Sequence, residues 1–295
     1  MSAGSGDPIA GAYQRIRMIG RGATAEIWAA RHRQTGEVVA VKLLAGKYQA
    51  GGAGDGDDDD DDDGQLRERF AREVETLGKV RHPNVVRMFA AGFERDGTPY
   101  LVLELIDGVS LLDVLAQGGR LEPARACALA RQMLSGLAAA HATRVLHRDL
   151  KPANVVVTGR PPHERAVLID FGLTALLGAA RITRPGSAVG TPSYMAPEVL
   201  RGAPPGISGD LYGVGVLLYE MLTGKQPFPG PGAQKTMVQV LSTHAPTLRE
   251  AAPDLAITDA LEDFVLRVLE KQPDQRPLSA EDMLAELDAA CWRSG

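Results

Sequence analysis

The sequence predicts an α+β fold in which a β-rich first part is followed by a helical second part. Up to about residue 104, short apolar runs separated by turn residues predominate, a pattern typical of strands. Beyond Asp107-Gly108 the apolar residues recur at helical spacing. This order, in a chain of 295 residues, predicts two compact parts joined by a hinge near residues 104–108.

The first part is predicted to contain one sheet. Its strands are expected at residues 13–20, 25–32, 37–44, 85–93 and 100–105. Gly20 and Gly22 separate the first two strands, and Gln34-Thr35-Gly36 separates the second from the third, so these three should form an antiparallel meander. Residues 1–11 are rich in glycine and serine, and we expect a flexible tail there.

One helix is predicted within the first part, at residues 65–80, where Phe70, Val74 and Leu77 fall on one face. Residues 46–64 precede it and contain an unbroken run of seven aspartates. Because a segment of this composition cannot bury a core, we expect a disordered, solvated insertion. The alternative is that the acidic run acts on the helix through the arginines of its first turns, at positions 67, 69 and 72.

The second part is predicted to be mainly helical. Its helices are expected at residues 110–117, 123–141, 211–222, 258–270 and 279–290. The second of these opens on Pro123, a residue that is favoured in the first turn of a helix. Two short apolar strands, at residues 155–157 and 166–170, interrupt the helices.

Composition excludes several classes of protein. The net charge is −5, but eight of the 37 acidic residues stand at Asp55 and in the aspartate run, so the remainder is slightly basic. No basic stripe with interleaved aromatic residues is present, so we expect no nucleic-acid partner. No apolar stretch approaches the roughly 18 residues of a membrane span, and no secretory leader is visible. Cys127 and Cys291 form no disulfide framework, and we expect reduced thiols in a cytoplasmic protein.

Gly20-Arg21-Gly22 is a weak phosphate-binding signal by itself, because similar glycine pairs occur elsewhere in this chain. Its context is more informative. The loop joins two strands, whereas a dinucleotide fingerprint needs a strand followed by a helix. The next strand ends in Val39-Ala40-Val41-Lys42, which is the order found in protein kinases.

The strongest motif is His147-Arg148-Asp149-Leu150-Lys151-Pro152-Ala153-Asn154, which matches the protein-kinase catalytic loop. Asp170-Phe171-Gly172 and Ala196-Pro197-Glu198 follow it in the expected order. The chain therefore resembles the protein-kinase superfamily from about Tyr13 to Leu287, and is most similar to the bacterial Ser/Thr kinases of eukaryotic type. This resemblance implies a bilobal fold, with a small β-rich N-lobe carrying one main helix (12–104) and a larger α-helical C-lobe (105–291).

The resemblance implies a serine/threonine protein kinase that transfers the γ-phosphoryl group of Mg·ATP to protein hydroxyls. Asp149 should accept the proton of the incoming hydroxyl, and Lys151 should steady the γ-phosphoryl group. Asn154 and Asp170 should hold Mg²⁺, with Mn²⁺ as an alternative ion. Lys42 should bind the α- and β-phosphates.

Lys42 needs an acidic partner to fix its position. The periodicity of the predicted helix places Glu73 beside the inward face, while Glu68 and Glu75 point away. By resemblance, Thr191 should bridge Asp149 and Lys151. Further expectations of the same origin are that Glu198 pairs with Arg276, that Asp210 holds the backbone of the catalytic loop, and that His147 is structural.

The resemblance also assigns nucleotide contacts. Leu103 is the expected gatekeeper, and the Glu104 carbonyl and Ile106 N–H should meet adenine. The full expected set is Ile19, Gly20, Arg21, Gly22, Ala23, Thr24, Ala25, Glu26, Ile27, Ala40, Lys42, Leu103, Glu104, Ile106 and Asp170. Ala25 departs from the family pattern, which usually has a third glycine there.

Arg148, directly before the expected base, implies control by phosphorylation of the activation loop. Thr174, Thr183 and Ser187 are the candidates, and we expect autophosphorylation at Thr183, Ser187 or both. A homodimer would allow this reaction to occur in trans. Two alternatives are a pseudokinase or scaffold, disfavoured by the complete catalytic set, and a small-molecule kinase, disfavoured by the segment at 190–198.

Overall fold

The computed structural model describes residues 8–22, 25–44, 59–171 and 192–292. These residues form two compact units. The first contains the described residues up to Arg81 together with Val86–Ile106. The second contains His82–Val85 and the described residues from Asp107 onward. Among the helices in these ranges, none has the length and apolar character needed to cross a membrane.

The first unit is built on an antiparallel sheet with the order β1-β2-β3-β5-β4. Its strands are β1 (Tyr13–Arg21), β2 (Ala25–His32), β3 (Val38–Leu44), β4 (Met88–Phe93) and β5 (Pro99–Glu104). All five predicted strands are present, and the predicted meander of the first three is confirmed. The central strands β3 and β5 carry the most buried residues, including Val41 and Val102.

The helix of the first unit, α1 (Asp59–Leu77), begins earlier than predicted. The expected disorder of residues 46–64 is therefore wrong for residues 59–64, which are helical. The remainder of that segment, 46–58, lies outside the described residues.

The expected flexible tail at residues 1–11 is also wrong for its described part. Ile9 is only 1% exposed and belongs to the apolar core cluster of the sheet. The backbone N–H of Ala10 donates to Glu94 Oε1 over 2.6 Å. Burial of the Ile9 side chain favours an ordered conformation of residues 8–11.

The second unit is mainly helical. Its helices are α2 (Leu111–Gly118), α3 (Pro123–Ala142), α4 (Pro197–Leu200), α5 (Ile207–Thr223), α6 (Ala233–Ser242), α7 (Leu248–Ala251), α8 (Asp259–Val268) and α9 (Ala280–Trp292). Its sheet consists of β6 (Val109–Ser110), β7 (Val155–Thr158) and β8 (Arg165–Leu168). Every predicted helix is found. The helices α4, α6 and α7 lie outside the predicted elements, and α4 and α7 span only four residues each.

The predicted N-lobe wrongly included residues 82–85, which belong to the second unit. Asn84 is the reason. Its side-chain Nδ2 donates to Gln132 Oε1 over 3.0 Å and to the Ala166 carbonyl over 2.7 Å. Its own carbonyl accepts from the N–H of Leu168 at 2.8 Å. These buried contacts tie the segment to α3 and β8.

Helix α5 occupies the core of the second unit. From Asp210 to Thr223 all but one of its residues are buried. It carries two tyrosines and a run of apolar residues and has no polar face over this length, which is typical of a helix surrounded by others. The most important polar residue on it is Asp210, near its N-terminus.

We predict that Ile9→Ala lowers the free energy of unfolding by about 2–4 kcal/mol, because it leaves a cavity in the sheet core. Ile16→Ala is the matched control. Ile16 lies on β1 with 47% of its surface exposed, and its truncation should cost less than about 1 kcal/mol. Urea unfolding of both variants checks this. If both variants lost the same free energy of unfolding, residues 8–11 would not be part of the core.

Candidate active site

The strongest predicted motif forms a loop in the second unit, between α3 and β7. Its last residues, Pro152–Asn154, make a single 3₁₀ turn that leads directly into β7. The loop brings Asp149, Lys151 and Asn154 together. Contacts with the neighbouring helices fix its backbone.

Asp210 anchors the loop from the first turns of α5. Its Oδ1 accepts from the backbone N–H of Arg148 over 2.8 Å, and its Oδ2 accepts from the N–H of His147 over 2.9 Å. The same Oδ2 lies 2.8 Å from His141 Nε2, at the end of α3. A buried carboxylate needs several donors to offset its lost hydration, and Asp210 has three. The expected role of this residue in holding the loop backbone is confirmed.

Arg148 adopts a left-handed backbone conformation, with φ of +66°. This conformation is unfavourable for a residue with a side chain, at a cost on the order of 1–3 kcal/mol, and persists only where its surroundings impose it. The hydrogen bonds of Asp210 to two successive N–H groups provide such a constraint. Strain of this kind is concentrated at functional sites.

Asp149 is held by its neighbours in the loop. Lys151 Nζ donates to Asp149 Oδ2 over 2.6 Å. Asn154 Nδ2 donates both to Asp149 Oδ2, over 3.0 Å, and to the Asp149 carbonyl, over 2.8 Å. The Asp149 side chain is still 40% exposed. It is thus an oriented carboxylate that an incoming hydroxyl can reach, which is what a proton acceptor requires.

His147 is fully buried behind this loop. Its Nε2 lies 2.9 Å from the Ile169 carbonyl, and its ring packs on Phe171 at 4.6 Å between centroids. The N–H of Asp149 approaches Nδ1 at 3.4 Å. In the neutral ring with a proton on Nε2, that N–H donates to the Ile169 carbonyl and Nδ1 accepts from the Asp149 N–H. Burial lowers the pKa of His147, which also favours the neutral form. These contacts are those of a structural histidine.

Asp170 follows β8 in a left-handed conformation, with φ of +60°. The preceding residue, Ile169, donates its N–H to the Asn154 carbonyl over 2.9 Å, so the two segments are joined by their backbones. The amide nitrogen of Asn154 is engaged with Asp149, which leaves its oxygen for a ligand. A carboxylate and an amide oxygen suit a hard cation such as Mg²⁺.

Within the described ranges, no group of three or more His, Cys, Asp or Glu side chains could hold a metal ion. Mg²⁺ fits the donor set of Asn154 and Asp170, because it retains waters and binds phosphate oxygens alongside one or two protein carboxylates.

The expected pairing of Glu198 with Arg276 is confirmed. Arg276 Nη1 and Nη2 donate to the two carboxylate oxygens of Glu198 over 2.8 and 2.9 Å. The Arg276 side chain is fully buried, lies over the Tyr212 ring, and also donates to the carbonyl of Glu270. A bidentate arginine with its remaining donors satisfied braces the segment that follows the activation loop.

A further contact in that segment was not predicted. The Tyr194 hydroxyl donates to Glu220 Oε2 over 2.6 Å, and Gln226 Nε2 donates to the Tyr194 oxygen over 2.9 Å. Burial raises the pKa of Glu220. No spacing or motif in the sequence links these residues, so only the fold reveals the contact.

In the first unit, Lys42 lies on β3 with 7% of its surface exposed. Glu73 is half-buried on α1. The other two glutamates face solvent, where Glu68 pairs with Arg72 and Glu75 with Lys79, one helical turn apart. Their predicted outward orientation is confirmed, and the pairing of Lys42 with Glu73 stays a prediction.

The loop between β1 and β2 is closed by local contacts. The N–H of Gly22 donates to the Ala25 carbonyl over 2.9 Å. Arg21 pairs with Glu26 over 2.7 Å. Ala25 is buried and lies opposite Leu44 in the sheet, so the methyl group that replaces the usual glycine is accommodated within the first unit. Ile19 and Ile27 flank the loop on β1 and β2.

Leu103, the expected gatekeeper, lies near the end of β5. Leu103 and Ala40 are buried and lie opposite each other on β5 and β3. The N–H of Glu104 donates to the Arg87 carbonyl over 2.8 Å. The backbone groups expected to meet adenine are different ones, the Glu104 carbonyl and the Ile106 N–H, and that assignment stays a prediction. Five predicted site residues lie outside the described residues: Ala23, Thr24, Thr183, Ser187 and Thr191.

Comparison with known proteins identifies the class that this fold and site define. Residues 13–287 match the family described as the protein kinase domain, and the chain belongs to that family.

The chain is 37% identical over 287 residues to the serine/threonine-protein kinase PkaA of Streptomyces coelicolor, with 94% of this chain and 49% of PkaA covered. It is 31% identical to PrkC of Bacillus subtilis, over 97% of this chain and 41% of PrkC. These similarities indicate a domain of the serine/threonine type, and the chain spans half or less of the length of these two relatives.

Two solved structures extend the comparison. The kinase domain of Mycobacterium tuberculosis PknI, solved as a point mutant, has a TM-score of 0.71 and 26% identity, covering 98% of this chain and 99% of that one. Rad53 1-466 in complex with AMP-PNP has a TM-score of 0.75 and 27% identity, covering 94% of this chain and 65% of that one. Together with the described units, these neighbours confirm the predicted fold class, a β-sheet unit and a helical unit.

We predict that His147 makes stability depend on pH. Burial lowers its native pKa below the ordinary value of about 6.5. Below that value the unfolded state binds a proton that the native state does not. The free energy of unfolding should therefore fall as pH drops through about 6.5, by at most about 1.4 kcal/mol per pH unit from this group. His147→Gln cannot titrate, so urea unfolding between pH 7.5 and 5.5 should give it a shallower slope. Parallel slopes would contradict the prediction.

We predict that Asp210→Asn lowers kcat by about 10- to 100-fold, because one amide nitrogen then faces backbone donors and the loop shifts. The KM for ATP should change little, since Asp210 holds the loop and is not itself expected to contact nucleotide. Asp254→Asn is the matched control, because Asp254 forms an exposed pair with Arg120 that contributes little. Steady-state kinetics checks both, and an unchanged kcat for Asp210→Asn would refute the anchoring role.

Proposed function

We propose that the chain is an active serine/threonine protein kinase that transfers the γ-phosphoryl group of Mg·ATP to Ser or Thr hydroxyls of proteins. The observation that carries this proposal is that the Asp149 carboxylate accepts hydrogen bonds from both Lys151 and Asn154. A pseudokinase would not need an exposed carboxylate oriented by a lysine and an amide. A protein that transfers phosphoryl groups does need it, because positioning and charge stabilisation provide most of the rate enhancement.

In the proposed reaction, Asp149 orients the substrate hydroxyl and accepts its proton. Lys151, whose ammonium lies beside the same carboxylate, stabilises the negative charge of the transferring phosphoryl group. Asn154 and Asp170 hold Mg²⁺, or Mn²⁺ in its place, and the ion when bound neutralises charge on the phosphates. Because Asp210 fixes the loop in advance, these groups need little rearrangement when the substrate arrives.

The proposed nucleotide contacts come from the first unit. Lys42 binds the α- and β-phosphates, with Glu73 as its partner on α1. The β1–β2 loop covers the phosphates, and Leu103, Glu104 and Ile106 meet the adenine. The AMP-PNP complex of Rad53 supports a nucleoside triphosphate as the ligand of this fold.

The proposed acceptor is a protein hydroxyl of the Ser/Thr type. Lys151 is the residue typical of such kinases, and the curated relatives carry that description. Arg148 is exposed next to the catalytic carboxylate. A guanidinium can bind a phosphate group through two parallel hydrogen bonds. We also propose that the chain phosphorylates itself at Thr183, Ser187 or both, and that within a homodimer one copy phosphorylates the other. A cytoplasmic location is a further part of this proposal.

An assay with labelled ATP, a generic basic protein and Mg²⁺ tests the proposal. Wild-type protein should label the substrate, and Asp149→Asn should lower the rate by at least about 10³-fold, because it removes the proton acceptor. Asp113→Asn is a matched control on the second unit. Asp113 lies on the surface in the first turn of α2, where its Oδ2 accepts from the hydroxyl of Ser110, and its loss should leave the rate nearly unchanged. EDTA should abolish the reaction. Labelling that survives Asp149→Asn would refute the assignment of the base.

The same incubation tests the acceptor and the autophosphorylation. Phosphate on Ser and Thr of the basic protein supports a protein kinase, whereas turnover only with small-molecule acceptors would contradict it. Intact-mass measurement and peptide mapping of the enzyme itself should locate phosphate between residues 174 and 190. A chain that phosphorylates the substrate but carries no phosphate there would refute autophosphorylation alone.

A further inference from the structure

The two cysteines of the chain meet across the interface of α3 and α9. Cys127 lies on α3 and is buried, whereas Cys291 lies near the end of α9 and is partly exposed. They are 164 residues apart in sequence, and the packing of α3 against α9 makes the two thiols neighbours. Both are free thiols in this structure.

An ion pair one turn away fixes the register of the two helices. Arg131 Nη2 lies 2.6 Å from Asp288 Oδ1. Arg131 is one helical turn after Cys127 on α3, and Asp288 is about one turn before Cys291 on α9, so each residue shares a face with the cysteine of its own helix. Along α3 the cysteine precedes the residue of the ion pair, whereas along α9 the cysteine follows it. This reversed order is expected where two antiparallel helices contact each other. The thiol contact is therefore part of a defined interface.

The two thiols differ in their surroundings. The neighbouring Cys127 thiol lowers the pKa of the Cys291 thiol, and the nearby Arg131 guanidinium acts in the same direction. The Cys291 thiol and burial both raise the pKa of Cys127. Of two neighbouring thiols, the one that is more exposed and has the lower pKa is the one that an oxidant attacks first. The buried thiol beside it is placed to react second.

We propose that Cys127 and Cys291 are a redox modification site, at which a hydroperoxide converts the thiol pair into an intramolecular disulfide. The Cys291 sulfur attacks the hydroperoxide, the O–O bond breaks, and a sulfenic acid and an alcohol (water, for hydrogen peroxide) are formed. The Cys127 sulfur then attacks the sulfenic sulfur and displaces hydroxide, which leaves as water with the Cys127 proton. Two thiols lose two electrons to one peroxide, and a dithiol reductant reverses the bond by exchange.

The disulfide would tie the last helix of the described chain to the core. Helix α9 ends at Trp292, and the bond would attach it covalently to α3. A bond between residues so far apart in sequence closes a long loop and restricts the unfolded chain. Oxidation should therefore raise the midpoint of thermal unfolding by about 5 °C or more.

Intact-mass measurement of the denatured, alkylated protein after hydrogen peroxide treatment tests the proposal. Because the chain has only two cysteines, a monomer that has lost two hydrogens and resists alkylation must contain this bond. The oxidised protein should unfold at a higher temperature, and a dithiol reductant should restore the original midpoint. These results are expected.

Two variants separate the roles of the thiols. In Cys127→Ser, the sulfenic acid at Cys291 cannot be resolved and should be trapped by dimedone. In Cys291→Ser, the buried Cys127 should stay reduced under the same treatment. Both variants should unfold within a few degrees of the reduced wild type, which shows that the fold is intact. Oxygen additions to Cys291 without any intramolecular bond, a bond formed only between two chains, or a lower unfolding midpoint after oxidation would overturn the proposal.

Discussion

The second unit of this kinase domain depends on one buried carboxylate. Asp210 accepts hydrogen bonds from the backbone N–H groups of two successive loop residues, and a third contact reaches His141 at the end of α3. Removed from water, the carboxylate requires these donors, and each of the two loop N–H groups is in turn satisfied by the carboxylate. The mutual requirement explains why the loop tolerates a left-handed conformation at Arg148. Asp149 follows directly and takes its orientation from that backbone.

The same constraint extends from the catalytic loop to the segment of Asp170. His147, held by Asp210 through its N–H, contacts the Ile169 carbonyl with its ring, and the Ile169 N–H returns to the Asn154 carbonyl. The two segments are therefore one hydrogen-bonded body. Gly213 contributes a close approach from α5, since a Cβ there would lie 2.9 Å from the Cβ of Leu150. Glycine at this position lets α5 pack directly under the loop.

Much of this arrangement could be predicted from local sequence. Strand and helix positions follow from apolar periodicity, and Asp149, Lys151 and Asn154 are close in sequence, so their meeting follows from the motif. The failures share one cause. Ile9, Asn84 and the Tyr194–Glu220 contact depend on partners far away in sequence, and no periodicity encodes such partners. The early start of α1 is different, because a helix-favouring charge pattern occurs in a segment whose composition suggests disorder.

The two units use glycine for different reasons. At Gly213 an added Cβ would collide with Leu150, so packing within the second unit accounts for the residue. In the β1–β2 loop, an added Cβ at Gly20 would make only ordinary contacts with Ile27 at 3.5 Å, and one at Gly22 would lie 3.9 Å from the Ala25 carbonyl oxygen. Neither residue has a backbone conformation that excludes a side chain. Packing among the described residues of the first unit therefore does not require these glycines. Their remaining physical value is that bare backbone N–H groups allow close approach of a ligand, which is what the proposed phosphate-binding role of this loop demands.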